Sequence, residues 1–163
     1  MNRFFEKISF EQFCRDICDD KNVYNSYVLP KRGSKYSSGY DFFAIKDMVI
    51  KPHEILKIPT GYKVCLPNNE FLMVVVRSSM GFKYNVRLCN QVGIIDSDYY
   101  NNSDNEGHIW VALQNEGEKD YVIEKGTAFA QGIFLNYLLC DDKVLNDRVG
   151  GIGSTDRNNN SNK

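Results

Sequence analysis

Two carboxylates and a phenol, Asp96, Asp98 and Tyr99, stand together directly after the apolar pair Ile94-Ile95. The chain holds only two histidines, His53 and His108, so a carboxylate is the natural general base, and Asp96, at the end of an apolar stretch, is the candidate. On residue type alone the aspartates also suit a strand-end turn and Tyr99 suits a core. A second group, Arg77-Ser78-Ser79, follows the apolar run Phe71 to Val76 at once. A planar guanidinium, two hydroxyls and turn amides emerging together suit phosphate oxygens, although an ordinary serine-rich turn has the same composition.

A third group lies near the C-terminus, in Arg148-Val149-Gly150-Gly151-Ile152-Gly153-Ser154-Thr155. Glycines let backbone N–H groups approach a polyanion, and Arg148, Ser154 and Thr155 add side-chain donors. The Gly-x4-Gly-Lys-Ser/Thr spacing of a phosphate loop is absent and no strand pattern leads in, so the expectation is a flap that a ligand orders. The amide of Asn90, with the backbone that follows it, suits the Watson-Crick edge of a base. His53 sits in Lys51-Pro52-His53-Glu54, which reads as a turn, and no cysteine or second histidine stands at ligand spacing to it. Both imidazoles are expected on the surface, and zinc and thiol hydrolase chemistries are set aside.

The elements that must position these residues are mostly strands. Residues 9 to 18 carry one helix signal: Ser9 with Gln12 suits a capping box, and Phe10, Phe13, Cys14, Ile17 and Cys18 repeat at helical spacing. That stripe suits docking on the chain's own domain or a neighbouring subunit. From about residue 40 short strands alternate with turns: Tyr62 to Leu66, Phe71 to Val76, Ile109 to Leu113, Tyr121 to Ile123, and Thr127 to Leu139 with a bend at Gly132. Val86 and Leu88, Gly93 and then Ile94-Ile95 read as a β-hairpin. The fold class expected is all-β, a distorted jelly-roll barrel with a short N-terminal helix and a flexible C-terminal tail. The divisions are an N-terminal extension over 1–27, a barrel over 28–145 and a Gly-rich tail over 146–163.

Composition sets the outer bounds. A chain of 163 residues, 42% hydrophobic with ten Phe and ten Tyr, fills one core. A net charge of −1 attracts neither nucleic acid nor membrane, so an anion must be held locally. The five cysteines, 14, 18, 65, 89 and 140, are odd in number and form no CxxC, which suits reduced thiols. The longest apolar run is far too short to span a bilayer, and the chain reads as soluble and cytoplasmic.

Taken in order, these patches resemble the trimeric dUTP diphosphatase (dUTPase) family of the dUTPase and dCTP deaminase-like superfamily, whose chains carry five short motifs on a jelly roll. Ser38-Gly39-Tyr40-Asp41-Phe42 resembles the first, Arg77 to Lys83 the second, Asn90 to Tyr99 the third, Lys125 to Gln131 the fourth and Arg148 to Thr155 the fifth. The resemblance implies Mg2+-dependent hydrolysis of dUTP to dUMP and pyrophosphate. It makes Asp96 the base for the attacking water, places Arg77, Ser78, Ser79 and Gln131 around the phosphates, and gives uracil to Asn90 and the backbone near Ile94, Ile95 and Trp110. Tyr99 would exclude a ribose 2'-hydroxyl. Mg2+ would ride on the triphosphate with Asp41 at most in its outer shell through water. The implied assembly is a homotrimer, with Arg148, Ile152, Gly153, Ser154 and Thr155 of one chain closing over a site built by the others.

Three departures stand out. Ile152 replaces the family's usual aromatic ring, Asp156 replaces a frequent glycine, and a polar stretch from Tyr100 to Glu106 intervenes before Gly107, where an exposed, enlarged turn is expected. Two rival functions follow from the same patches. A dCTP deaminase needs a glutamate on the strand after the hairpin, and Ile109 to Leu113 has no carboxylate. A dUTP-sensing binding protein would use the nucleotide to order its tail and switch a partner.

Overall fold

The computed structural model describes residues 2–141. Among them, twelve strands form four sheets, accompanied by three short α-helices and one 3-10 turn. The largest has five strands: β2 (Lys31–Arg32), β3 (Tyr40–Phe43), β12 (Ala128–Asn136), β7 (Glu70–Val75) and β9 (Gly93–Asp96), in that order. A three-stranded sheet orders β5 (Ile55–Pro59), β10 (Trp110–Asn115) and β8 (Val86–Leu88), and two pairs join β1 (Phe4–Lys7) to β6 (Tyr62–Cys65) and β4 (Met48–Ile50) to β11 (Tyr121–Ile123). The strand-rich expectation is met, as a jelly-roll arrangement of separate sheets. Alternation does the work: Tyr62 and Val64 on β6, Leu72 and Val74 on β7, and Val111 and Leu113 on β10 turn inward to one core.

The expected hairpin over 86–99 is corrected. β8 pairs with β10 while β9 pairs with β7, so the two strands belong to different sheets. Val86 and Leu88 are buried on β8, and at Gly93 the backbone of β9 comes so near β7 that a Cβ would lie 3.1 Å from Val74 Cβ. Residues 89–92, with Gln91 at φ 62°, therefore carry the chain across the core's edge. The bend expected at Gly132 is also corrected. The irregularity of β12 lies between Ala128 and Ala130, and Gly132 sits within the ladder opposite Tyr40 and Val74, where a Cβ would meet Leu72 at 3.0 Å. Arg77-Ser78-Ser79 opens a helix, α3 (Ser78–Tyr84), which buries Met80 and ends at the left-handed Asn85.

The N-terminal segment holds more than one helix. α1 (Phe10–Asp16) and α2 (Lys21–Ser26) follow β1, with Ser9 capping the first and Asp20 the second. Only half of the capping box forms: the Gln12 N–H donates to Ser9 Oγ at 3.1 Å, but the Gln12 side chain turns to Asp16, and the Ser9 N–H is taken by Glu106 at 3.0 Å. Phe13 stacks on Tyr27 at 5.5 Å, and Tyr27, Tyr62 and Phe42 continue the cluster into the barrel. The helix stripe thus packs on its own core.

Gly61, at φ 76°, is where that segment is fastened. Its carbonyl accepts from the Ile8 N–H (3.1 Å) and the Tyr27 hydroxyl (2.8 Å), while its N–H donates to His108 Nε2 (2.9 Å). His108 is thereby a correction: it has no exposed surface, and its Nδ1 lies 2.5 Å from Asp16 on α1. Since Nε2 accepts, the Nδ1–H donates, and the ring is neutral. Burial pushes its pKa down, and Asp16 opposes that only in part. The loop at 100–106 is a turn with Asn101, Ser103 and Asp104 exposed, as expected, but it is also anchored to the rest of the chain. Asn102 is buried, Tyr100 bonds Glu6, and Glu106 receives Ser9 and Lys63. Burial pushes Glu106 up, but Ser9 and Lys63 outweigh it and hold the carboxyl below its usual range. All five cysteines are free, and His53 lies exposed in its turn.

A buried neutral histidine makes stability depend on pH. The unfolded imidazole takes up a proton near about pH 6.5 and the folded one only at lower pH, so stability is full above about 6.5 and declines below it. Tm is expected to fall between about pH 7.5 and about pH 5.5 in the wild type, and to fall less in His108→Gln, whose amide supplies one donor and one acceptor. Equal slopes in the two proteins would contradict this account.

Candidate active site

Six of the candidate residues, Asn90, Ile94, Ile95, Asp96, Tyr99 and Trp110, line one cavity of about 660 Å³. Asp96 ends β9, half-buried, and precedes a single 3-10 turn over Ser97–Tyr99 that its side chain does not cap. β9 is the edge strand of the large sheet, so one row of its backbone groups lies outside that ladder on the cavity side. Tyr99 is buried, its hydroxyl donating to the His108 carbonyl at 3.0 Å and accepting from Asn105 Nδ2 at 2.8 Å. Trp110 opens β10 with its ring 5.4 Å from the His108 ring. Asp98 is exposed within the turn and does not line this cavity.

Sequence reading missed Lys57, Asp104 and Asn105, which share the same wall. Lys57 arrives by pairing with Ala112 across β5 and β10, a register no local pattern announces. Asn105 is brought in by the turn chemistry of its loop.

The other five candidates from the described residues, Asp41, Arg77, Ser78, Ser79 and Gln131, line a separate cavity of about 340 Å³ with Gly33, Ser37 and Gly39. The large sheet sets them side by side. Gln131 on β12 is flanked by Asp41 on β3 and Val75 on β7, and Arg77 follows β7 as the residue that starts α3. Arg77 Nε lies 3.4 Å from Asp41, and Gln131 Nε2 donates to the Val76 carbonyl at 3.3 Å. At the start of α3 the Met80 N–H donates to the Arg77 carbonyl at 2.9 Å, while the preceding N–H groups of Ser78 and Ser79 have no intrahelical acceptor and add donors beside the guanidinium. Gly39 leaves the Gln131 amide its place: a Cβ there would stand 2.1 Å from Gln131 Oε1 and push the end of that side chain aside.

Asp96 and Arg77 stand at opposite ends of β7, the larger cavity running along β9 from Asp96 as far as Gly93 and Val74. Asp96 is in register with Phe71, and Arg77 lies six residues further along the chain. At the rise of an extended chain that is a separation of about 20 Å. Asp96 and Arg77 of one copy therefore line different cavities. Arg148, Ile152, Gly153, Ser154, Thr155 and Asp156 lie outside the described residues. Among the described residues no three His, Cys, Asp or Glu side chains cluster to hold a metal, and no helix is long and apolar enough to cross a membrane. β10 carries no carboxylate, as its sequence indicated.

Known proteins resemble this architecture. The dUTPase family model matches residues 25–156. The deoxyuridine 5'-triphosphate nucleotidohydrolase of Lactococcus lactis is 42% identical over 130 residues, covering 78% of this chain and 87% of the relative. The crystal structure of dUTPase from Streptococcus mutans superposes with a TM-score of 0.69 at 37% identity, over 85% of this chain and 98% of the other. A mutant dUTPase from phage phi11 of S. aureus, whose structure describes the coordination of a structural Mg(II) ion, shares the fold at 18% identity with a TM-score of 0.65, over 90% of this chain and 98% of that one.

The smaller cavity makes a testable claim about Gly39. In Gly39→Ala the new methyl displaces the Gln131 amide, and the affinity for magnesium pyrophosphate measured by calorimetry is expected to weaken about tenfold, the worth of one hydrogen bond to a charged group. Unchanged affinity would remove Gln131 from the anion site.

Proposed function

Because the chain belongs to the dUTPase family and hydrolyses dUTP, we propose that Asp96 is its general base, taking the proton of the water that attacks the α-phosphorus. The observation that carries this reading is the sorting of the candidate residues into one nucleoside-sized cavity walled by Asp96 and one anion cavity built on Arg77. Uracil lies against Asn90, the β9 backbone at Ile94 and Ile95, and the start of β10 at Trp110. The deoxyribose lies on Tyr99, which leaves no room for a 2'-hydroxyl. The products are dUMP, a precursor for dTMP, and pyrophosphate, and removal of dUTP limits uracil in DNA.

Arg77, Ser78, Ser79 and Gln131 hold the phosphate chain, where fixed donors and position supply most of the rate gain. With Asp96 and Arg77 about 20 Å apart along one strand, the two halves of a working site come from different copies, and the assembly we assign is a homotrimer with shared sites. Arg148, Ile152, Gly153, Ser154 and Thr155 of a neighbouring copy close over the bound nucleotide.

The donor set fits a magnesium ion that arrives with the substrate: the described residues hold no three-ligand cluster, and Asp41 is the one carboxylate lining the anion cavity. When bound, Mg2+ would neutralise triphosphate oxygens, with Asp41 reaching it through water. Asp41 meanwhile orients the Arg77 guanidinium.

Pyrophosphate release from dUTP, dTTP, UTP and dCTP tests the reading. The wild type is expected to act on dUTP in Mg2+ and to stop in EDTA, and Asp96→Asn is expected to lose about a thousandfold in kcat, within the usual range for a general base. Retained activity in the variant would remove Asp96 from that role. Ammonia from dCTP would identify a deaminase, and dUTP binding without pyrophosphate release a sensing protein. At the flap, Ile152→Phe is expected to lower KM for dUTP about tenfold through base stacking, and no change in KM or kcat would contradict it.

A further inference from the structure

The Tyr99 hydroxyl is gripped by two residues that the hydrolytic reading does not use. It donates to the His108 carbonyl and accepts from Asn105 Nδ2. Neither partner is free to drift. Asn105 Oδ1 accepts from Asn102 Nδ2 (2.9 Å) and from the Gly107 N–H (3.1 Å), which leaves the Asn105 amino group aimed at Tyr99. Asn102 in turn accepts from the N–H groups of Asp104 and Asn105 and donates to the Tyr99 carbonyl. The loop closes on itself tightly: at Gly107, φ 82°, a Cβ would stand 2.6 Å from the Tyr99 carbonyl oxygen.

His108 is held from the far side. Its ring is clamped between the Gly61 N–H and Asp16 on α1, so the backbone carbonyl that receives the Tyr99 proton is fixed by the N-terminal helix. The Ser9 cap of the same helix bonds Glu106 of the loop. A line of direct contacts therefore runs from α1 through Asp16, His108 and Tyr99 to the wall of the nucleoside cavity, which Asn105 also lines. The helix lies before residue 25, where the family match begins.

A phenol ring anchored only at its Cβ pivots, and two hydrogen bonds at its far end stop the pivot. We propose that Asn105, together with Asp16 acting through His108, positions Tyr99 against the sugar, so that discrimination of deoxyribose from ribose in this chain depends on the docked N-terminal helix. The inference rests on Tyr99 lying under the sugar. Asn105 and Asp16 are positioning residues: they act on the sugar through Tyr99.

The test is the ratio of kcat/KM for UTP to that for dUTP in wild type, Asn105→Leu, Asp16→Ala, Tyr99→Phe and the double variant Asn105→Leu/Tyr99→Phe. Asn105→Leu and Tyr99→Phe are each expected to raise the ratio about tenfold, the discrimination one buried hydrogen bond supports, and the double variant no further than the larger single effect. Asp16→Ala is expected to raise it in the same direction by a smaller factor. A purely structural loop would lower Tm and leave the ratio unchanged, and that result in Tyr99→Phe and Asp16→Ala would overturn the proposal even if Asn105→Leu fails to fold. Additive effects in the double variant would overturn it as well. Tyr99→Ala separates the two readings: an unchanged ratio there removes Tyr99 from the sugar and both fall, whereas a raised ratio there with unchanged Asn105→Leu and Asp16→Ala defeats only the positioning.

Discussion

Strand β7 is the constraint on which the site depends. It is hydrogen-bonded on both sides, to β12 and to β9, so its extended length is fixed and nothing in the sheet can bend its ends together. The β9 ladder places Asp96 beside Phe71 at one end. The β12 ladder places Gln131 beside Val75 at the other, next to Arg77. If Asp96 is the base and Arg77 the phosphate clamp, as proposed, groups held that far apart are two half-sites, to be completed where complementary halves of separate copies meet. The same rigidity then serves catalysis, because groups fixed by two-sided pairing need no reorganisation when charge develops.

The second organising contact is Gly61, whose carbonyl and N–H are both committed to side chains or backbone from elsewhere. Its positive φ and the close approach of Ile45 and Tyr27 exclude a side chain there. Through it the N-terminal strand and helices are tied to β6 and to His108, and His108 in turn meets Tyr99. The N-terminal segment is thus continuous with the core and reaches the cavity wall through hydrogen bonds. Burying a histidine without its charge is what makes that arrangement stable: each ring nitrogen has one fitting partner, and a second ring proton would leave the Gly61 N–H facing another donor.

Much of this was legible in the residues. Alternation over Tyr62, Val64 and Leu66 announced the inward face of β6, the apolar runs Phe71 to Val76 and Ile109 to Leu113 announced β7 and β10, Ser9 announced the start of α1, and Asn90, Asp96, Tyr99, Arg77 and Gln131 lie on cavity walls. What escaped depends on pairings between distant segments. His108 is buried by partners 92 and 47 positions away, a separation over which a single sequence gives no signal. The apparent hairpin failed because Val86-Arg87-Leu88 and Gly93-Ile94-Ile95 carry strand patterns that do not specify a partner, and each found a better one. α2 is a single short segment, too short to carry a periodicity. The polar loop at 100–106 looked solvated because asparagines suit turns, and here they suit a turn that closes on itself and on Tyr99.

The claim that Asp96 and Arg77 serve one site from different copies is tested most directly by mixing two inactive chains. Asp96→Asn and Arg77→Ala are co-expressed in equal amounts and the mixed assemblies are assayed for pyrophosphate release from dUTP. If the two residues come from separate chains, about a quarter of the sites in randomly mixed trimers receive an intact Asp96 and an intact Arg77, and activity returns to about that fraction of wild type. If one chain supplied both, every site would lack one of them, and the mixture would remain as inactive as either parent.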